Sequence, residues 1–145
     1  HDEGAAMLGG ISGHAGLFSN SYEVAIVLQA MIQKGKYDDF KLFSQDSFDL
    51  FNFCYFCDKE NRSGVGFDKP QIEGRHGSTF GGVSSESFGH YGYTGSMAWA
   101  DPDKNIIFIF LSNRTYPTRE NTLLQTSNTR TRSQEIVYKS LIDNK

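Results

Sequence analysis

The sequence predicts an α+β fold, an antiparallel sheet with helices packed on it, and three observations carry that reading. Strand-type runs flank a turn between residues 90 and 111. Two helical segments with apolar faces come before them, each opened by a residue able to cap it. A third helical segment closes the chain, with apolar residues spaced to lie on the sheet.

Taken in order, residues 1–19 are Gly-rich and irregular, with Gly9-Gly10, Gly13 and Gly16 spread through them. Asn20 then caps a helix running to Lys34, and Glu23 three residues later completes a capping box. Tyr22, Val24, Val27, Leu28, Met31 and Ile32 cover more than one stripe of it, so burial on most sides is expected. Gly35 suits the position just past its end. Residues 38–42 form a short connector. Ser44 opens a second helix over residues 45–55, with Phe48, Phe51 and Tyr55 at helical spacing.

Residues 61–86 are rich in Gly and Ser, with a short strand at residues 65–67 and a long loop around Gly81-Gly82. Residues 90–100 predict one strand and residues 106–111 the next. Asp101-Pro102-Asp103-Lys104-Asn105 has turn chemistry between them. A polar stretch covers residues 113–130. Thr131, with Gln134 three residues on, caps a C-terminal helix that turns Ile136, Val137, Leu141 and Ile142 to the sheet. A sheet only two or three strands wide is seldom stable without a covering face, which points to a portion absent from this chain.

Composition narrows the function. The 145 residues are 38% hydrophobic and 21% charged, ordinary for a globular domain. The net charge of −3 argues against nucleic acid as a partner, which needs clustered Lys and Arg. The one basic stretch, Arg130 to Arg132, is expected to be a solvated helix end. The longest apolar run, residues 106–111, is too short to span a bilayer. No basic segment followed by an apolar stretch opens the chain, and it starts at His1, as a processed or truncated product would.

Cys54 and Cys57 form a Cys-x-x-Cys pair inside the second predicted helix. A zinc site needs four converging ligands, and the histidines at 1, 14, 76 and 90 are scattered. A redox pair belongs at a helix N-terminus, whereas this one sits toward a helix C-terminus. Incidental thiols are the expected reading. Phosphate-loop, dinucleotide and Gly-x-Ser-x-Gly patterns are all absent.

The segment Phe88-Gly89-His90-Tyr91-Gly92-Tyr93-Thr94-Gly95 remains. Its glycines leave a strand edge open to close approach, and a His there can donate to a substrate or assist proton transfer. The same pattern also suits a strand whose glycines admit packing by a helix, the His being partly exposed. Both readings stand on the residues alone.

Motif order adds a resemblance. His1-Asp2-Glu3, then Leu8-Gly9-Gly10-Ile11-Ser12-Gly13-His14-Ala15-Gly16-Leu17-Phe18-Ser19, resembles a stretch of β-lactamase-related serine hydrolases. So do Phe88 to Gly95, Trp99-Ala100-Asp101-Pro102, and Phe110-Leu111-Ser112-Asn113-Arg114. The chain is similar to the C-terminal part of the β-lactamase and penicillin-binding-protein family. Residues 1–145 would then be the C-terminal portion of a single domain whose N-terminal part is missing. The resemblance implies an acyl-enzyme hydrolase for a β-lactam, a D-Ala-D-Ala peptide or an ester, with no metal and no cofactor.

In that family a Ser-x-x-Lys supplies the nucleophile, a Tyr-x-Asn or Ser-x-Asn a proton relay, and a Lys/His-Thr/Ser-Gly strand the facing wall. The resemblance puts His90 at the Lys/His position and makes the Tyr93 backbone N–H an oxyanion donor. Tyr91, Gly92 and Thr94 become substrate-binding residues. Tyr91 departs from the family's Thr or Ser, which puts recognition of a substrate carboxylate in doubt. No serine here has Lys three positions later, and neither relay motif occurs. The chain alone is therefore expected to be inactive. The missing N-terminal portion, or a second copy, is expected to cover an apolar face. The family's usual setting is the cell envelope. A non-catalytic ligand-binding module of the same fold is the alternative.

Overall fold

The computed structural model describes residues 3–59, 61–71 and 77–142. A five-residue helix, α1 (Glu3–Met7), opens the segment expected to be irregular. The helix α2 (Ser21–Ile32) starts at the expected cap, where Asn20 Oδ1 accepts from the Glu23 N–H at 3.1 Å, while the Glu23 carboxylate accepts from Ser19 Oγ at 2.7 Å instead of closing the box. Residues 38–42 are more than a connector, since β1 (Lys36–Tyr37) and β2 (Phe40–Lys41) pair as a small antiparallel hairpin. Asp38, at φ 52°, makes its turn.

The helix α3 (Gln45–Asn52) is capped by Ser44, whose Oγ accepts from the Ser47 N–H at 3.1 Å. It is shorter than expected. Phe53 takes an extended backbone, and the Phe51 carbonyl accepts from the Val65 N–H at 2.7 Å. The Cys pair therefore lies outside any α-helix, and Cys54 and Cys57 form a disulfide rather than incidental thiols. Residues 65–67 form no strand. Gly66, at φ 93°, sits in a loop bounded by a single Ser63–Asp68 bridge.

The sheet has three strands, β3 (Phe88–Tyr91), β4 (Met97–Asp101) and β5 (Ile106–Phe110), antiparallel in that order. Residues 90–100 are thus two strands and a turn, where one strand was expected. Side chains alternate across the sheet. Phe88, Ala98, Ala100, Ile107 and Ile109 meet Leu28, Met31 and Phe48 on one face. Met97, Trp99, Phe108 and Phe110 meet Val83 and Val137 on the other. Helices cover both faces.

The C-terminal helix α5 (Thr129–Ile142) begins two residues before the expected cap. Asn128, at φ 53°, turns the chain into it from α4 (Leu123–Thr126), and the Asn128 carbonyl accepts from Arg132 N. Its inward face is Gln134, Val137 and Tyr138 rather than Ile136 and Leu141, which are exposed. The Ile142 side chain lies outside what the structure describes.

Two buried charges tie these layers together. Asp101 accepts from Ser84 N, Ser84 Oγ, Lys104 N and Tyr138 Oη at 2.6–3.2 Å. Lys69 donates to Asn52 Oδ1 at 3.3 Å and the Glu86 carbonyl at 3.1 Å. Burial holds the Lys69 ammonium below the usual lysine range, partly opposed by Glu86 and Asp103.

Apolar side chains also face outward. Met7, Ile11, Leu17, Phe18, Tyr22 and Val27 are exposed, so α2 is not buried on most sides within this chain. No helix among the described residues is long and apolar enough to cross a membrane.

Candidate functional site

The site is built on the edge strand β3 and the turn that follows it. Gly89 does not leave this edge bare. It exchanges two backbone hydrogen bonds with Asp68, at 2.8 and 3.0 Å. A Cβ at position 89 would also fall 2.3 Å from the Ala98 carbonyl and 2.4 Å from the Trp99 ring. The neighbour that crowds Gly89 is the adjacent strand β4, where a packed helix was expected. Gly92 is the open one, since a Cβ there meets nothing closer than 3.5 Å.

His90 shares a face with Phe88 but lies beyond the packed core and is exposed. Its Nδ1 is 2.7 Å from the Tyr91 carbonyl. A carbonyl only accepts, so Nδ1 carries the proton and Nε2 of the neutral ring presents a lone pair. No described residue engages Nε2.

Tyr91 points to the opposite face. Its ring lies under the Arg130 guanidinium, 4.2 Å from centroid to Cζ, and its hydroxyl donates to the Ser78 carbonyl. Burial raises the phenol above its ordinary range, while Arg130 pulls it down. The Tyr91 hydroxyl is therefore spent inside the protein.

The turn after Tyr91 is closed by Gly92 N–H to the Ser96 carbonyl, 2.8 Å, and Gly95 N–H to the Gly92 carbonyl, 3.0 Å. Gly95 sits at φ 91°, a conformation glycine adopts without strain. The turn's carbonyls are all held from behind. That of Tyr93 accepts from Arg114 Nε at 3.1 Å. That of Thr94 accepts from Arg114 N at 2.9 Å and Ser112 Oγ at 3.0 Å. That of Gly95 accepts from Arg130 Nη1 at 3.2 Å. The Thr94 hydroxyl lies 3.4 Å from Ser96 Oγ. The Tyr93 N–H donates to no described residue, so one backbone donor in the turn after β3 stays unspent.

The β-lactamase family profile matches residues 1–129. The chain belongs to the β-lactamase family. Within that family it is similar to proteins named "Putative D-alanyl-D-alanine carboxypeptidase". The one from Escherichia coli O157:H7 is 37% identical over 119 residues, that from Escherichia coli strain K12 36% over 119 residues, and that from Salmonella enteritidis PT4 34% over 118 residues. Each alignment covers 79% of this chain and 26% of the relative, so the chain spans about a quarter of the relatives' length.

Among the predicted residues, His90, Gly92, Tyr93 and Thr94 come together on β3 and its turn, while Tyr91 turns away from them. Of the opening motif, His1 and Asp2 lie outside the described residues. Glu3 forms an exposed ion pair with Arg119 at 3.4 Å, and His14 is exposed in the loop before α2. No His, Cys, Asp and Glu cluster that could hold a metal occurs among the described residues.

Sequence reasoning missed Arg114 and Arg130. The first sat unassigned inside a family motif. The second, expected at a solvated helix end, is half-buried against β3 while Arg132 is exposed. With the helix expected to start after Thr131, the sequence held no signal that set Arg130 apart from Arg132.

Proposed function

We propose that this chain is the C-terminal portion of a single-domain serine hydrolase working through an acyl-enzyme, and that it supplies the wall facing the nucleophile. The observation that carries the reading is an exposed His90, with Nε2 uncommitted, on β3 and an unspent Tyr93 N–H two residues past the end of that strand. The serine, its lysine and the relay residue lie in a preceding portion. On this reading the serine attacks a carbonyl carbon, and the Tyr93 N–H donates to the oxygen as negative charge builds on it. That role suits a rigid donor, because a preorganised group needs no rearrangement as the charge appears. His90 Nε2 accepts a hydrogen bond from the substrate or from the proton relay. Gly92 lets the substrate approach the backbone, and Thr94 offers its hydroxyl at the rim.

Tyr91 is the exception to the expected substrate contacts. Its hydroxyl is held by Ser78, so a substrate carboxylate must find its partner elsewhere. The relatives' name supports a D-alanyl-D-alanine peptide as the substrate class. The family's usual setting supports the cell envelope as the location. Ester or β-lactam hydrolysis uses the same wall. The exposed Met7, Ile11, Leu17, Phe18 and Tyr22 are covered by the preceding portion or by a second copy.

The test is mass spectrometry after treatment with a fluorophosphonate and a labelled penicillin. This chain should take up neither probe, because none of its serines has the lysine three positions later that would activate it. The complete protein should be labelled on one serine preceding His1. Stoichiometric labelling of a serine within the chain would overturn the assignment, and an unlabelled complete protein would favour a ligand-binding module.

A further inference from the structure

We infer that Arg130, from the first turn of α5, is a positioning residue for the Tyr93 N–H. The inference rests on the reading of that N–H as an oxyanion donor. The guanidinium does two things at once: it stacks on the Tyr91 ring at 4.2 Å and donates Nη1 to the Gly95 carbonyl at 3.2 Å. Tyr91 is itself pinned through its hydroxyl to the Ser78 carbonyl. One side chain from the C-terminal helix therefore joins the end of β3 to the far side of the turn, with Tyr93 between them.

Position and chemistry both argue that the contact is retained for the turn. A cation at a helix N-terminus works against the helix dipole, so Arg130 gains nothing from its own helix. Only a planar guanidinium can stack on a ring and donate in its plane to a carbonyl together; an ammonium can do one or the other. The remaining carbonyl clamps come from Arg114 and Ser112, just after β5. Arg130 is the contact that ties α5 to the turn's carbonyls among the described residues. Losing it frees Gly95, and with it the orientation of the peptide that carries the Tyr93 N–H.

The experiment compares Arg130→Lys and Arg130→Met with wild type in the complete protein. Two readouts are taken: amide exchange of the peptide holding Gly92 and Gly95, and kcat and KM on a p-nitrophenyl ester. Both glycine amides are hydrogen-bonded in the turn, so their exchange reports its opening. Arg130→Met should speed that exchange about tenfold. It should also lower kcat about tenfold with KM within about twofold, because an oxyanion donor acts on the transition state. Arg130→Lys should fall between Met and wild type on both measures, and serves if the Met variant does not fold. Unchanged exchange in the turn, or faster exchange spread evenly over β4 and β5, would overturn the inference. A wild-type protein that neither turns over nor takes up the probes would defeat the hydrolase reading instead. The exchange data would still decide whether Arg130 holds the turn.

Discussion

Asp101→Asn removes one charge and one acceptor from a carboxylate that is fully buried between β4, α5 and the loop before β3. Oδ1 accepts from Ser84 Oγ at 2.6 Å and Lys104 N at 3.2 Å, and Oδ2 accepts from Ser84 N at 2.9 Å and Tyr138 Oη at 3.1 Å. Hydroxyls can rotate to meet a new donor, but backbone N–H groups cannot. Whichever way the amide is turned, its NH₂ faces either Ser84 N–H or Lys104 N–H. One buried backbone donor is then stranded at a cost of about 1–3 kcal/mol, and the surviving bonds lose their charge assistance. Relief from burying a charge offsets part of this. The net expected loss is about 2–3 kcal/mol for Asn. For Ala it is about 4 kcal/mol, since all four donors lose their acceptor and a cavity opens. Urea unfolding followed by fluorescence of Trp99, the single tryptophan and itself buried, reads the change directly. With a slope of about 2 kcal/mol/M, Asn should lower the midpoint by about 1 M at unchanged slope. An Asn variant as stable as wild type would refute the reasoning, since four donors to one carboxylate would then carry no net stability.

Gly95→Ala should destabilise by about 2–4 kcal/mol, combining a left-handed backbone with a Cβ placed 2.4 Å from Leu124 Cδ2 and 2.8 Å from Ser112 Oγ. Thermal unfolding should fall by about 10 °C. Tyr91 and Tyr138 both hold their protons longer in the folded state, chiefly through burial, with Asp101 adding to the shift at Tyr138. Their stabilisation is fully present below the ordinary phenol pKa of 10.0 and is lost as pH rises above it, so the unfolding midpoint should fall between pH 10 and 12 for wild type and fall less for Tyr138→Phe. Reducing Cys54–Cys57, or replacing both by Ser, should cost no more than about 2 kcal/mol, because the bridge closes a loop of sequence separation 3. A larger loss in urea would mean that the bridge supports more than its own turn.

The features legible in the sequence were the ones set by neighbours along the chain. Asn20 with Glu23, and Ser44, place two helix starts because a cap and its N–H partner are three residues apart. The hairpin of β4 and β5 announced itself through Pro102 and Asn105. What long-range contacts decide was missed. The second helix stops at Asn52, which Lys69 holds from seventeen residues away, and so the Cys pair enters a tight turn where the thiols can meet. The turn at residues 92–95 was hidden because Tyr93 and Thr94 favour strands and Gly95 can serve either state. Its conformation is secured by Ser112, Arg114 and Arg130, none of them nearby in sequence. At the C-terminus, Ile136 and Leu141 had the spacing of a sheet-facing stripe, yet Gln134 and Tyr138 took the inward positions, where Phe80 N and Asp101 supply polar partners. The candidate site followed the same rule. His90 and Tyr93 could be named from the motif, while the arginines that hold their turn could not.

The most direct measurement is a crystal structure of the complete protein after reaction with a phosphonate monoester, which leaves a tetrahedral adduct on the nucleophile. The account predicts a phosphonyl oxygen about 2.7–3.1 Å from Tyr93 N, with His90 Nε2 turned toward the adduct and Tyr91 still under Arg130. An adduct whose oxygens meet other donors, with the Tyr93 N–H facing solvent and His90 turned away, would contradict it.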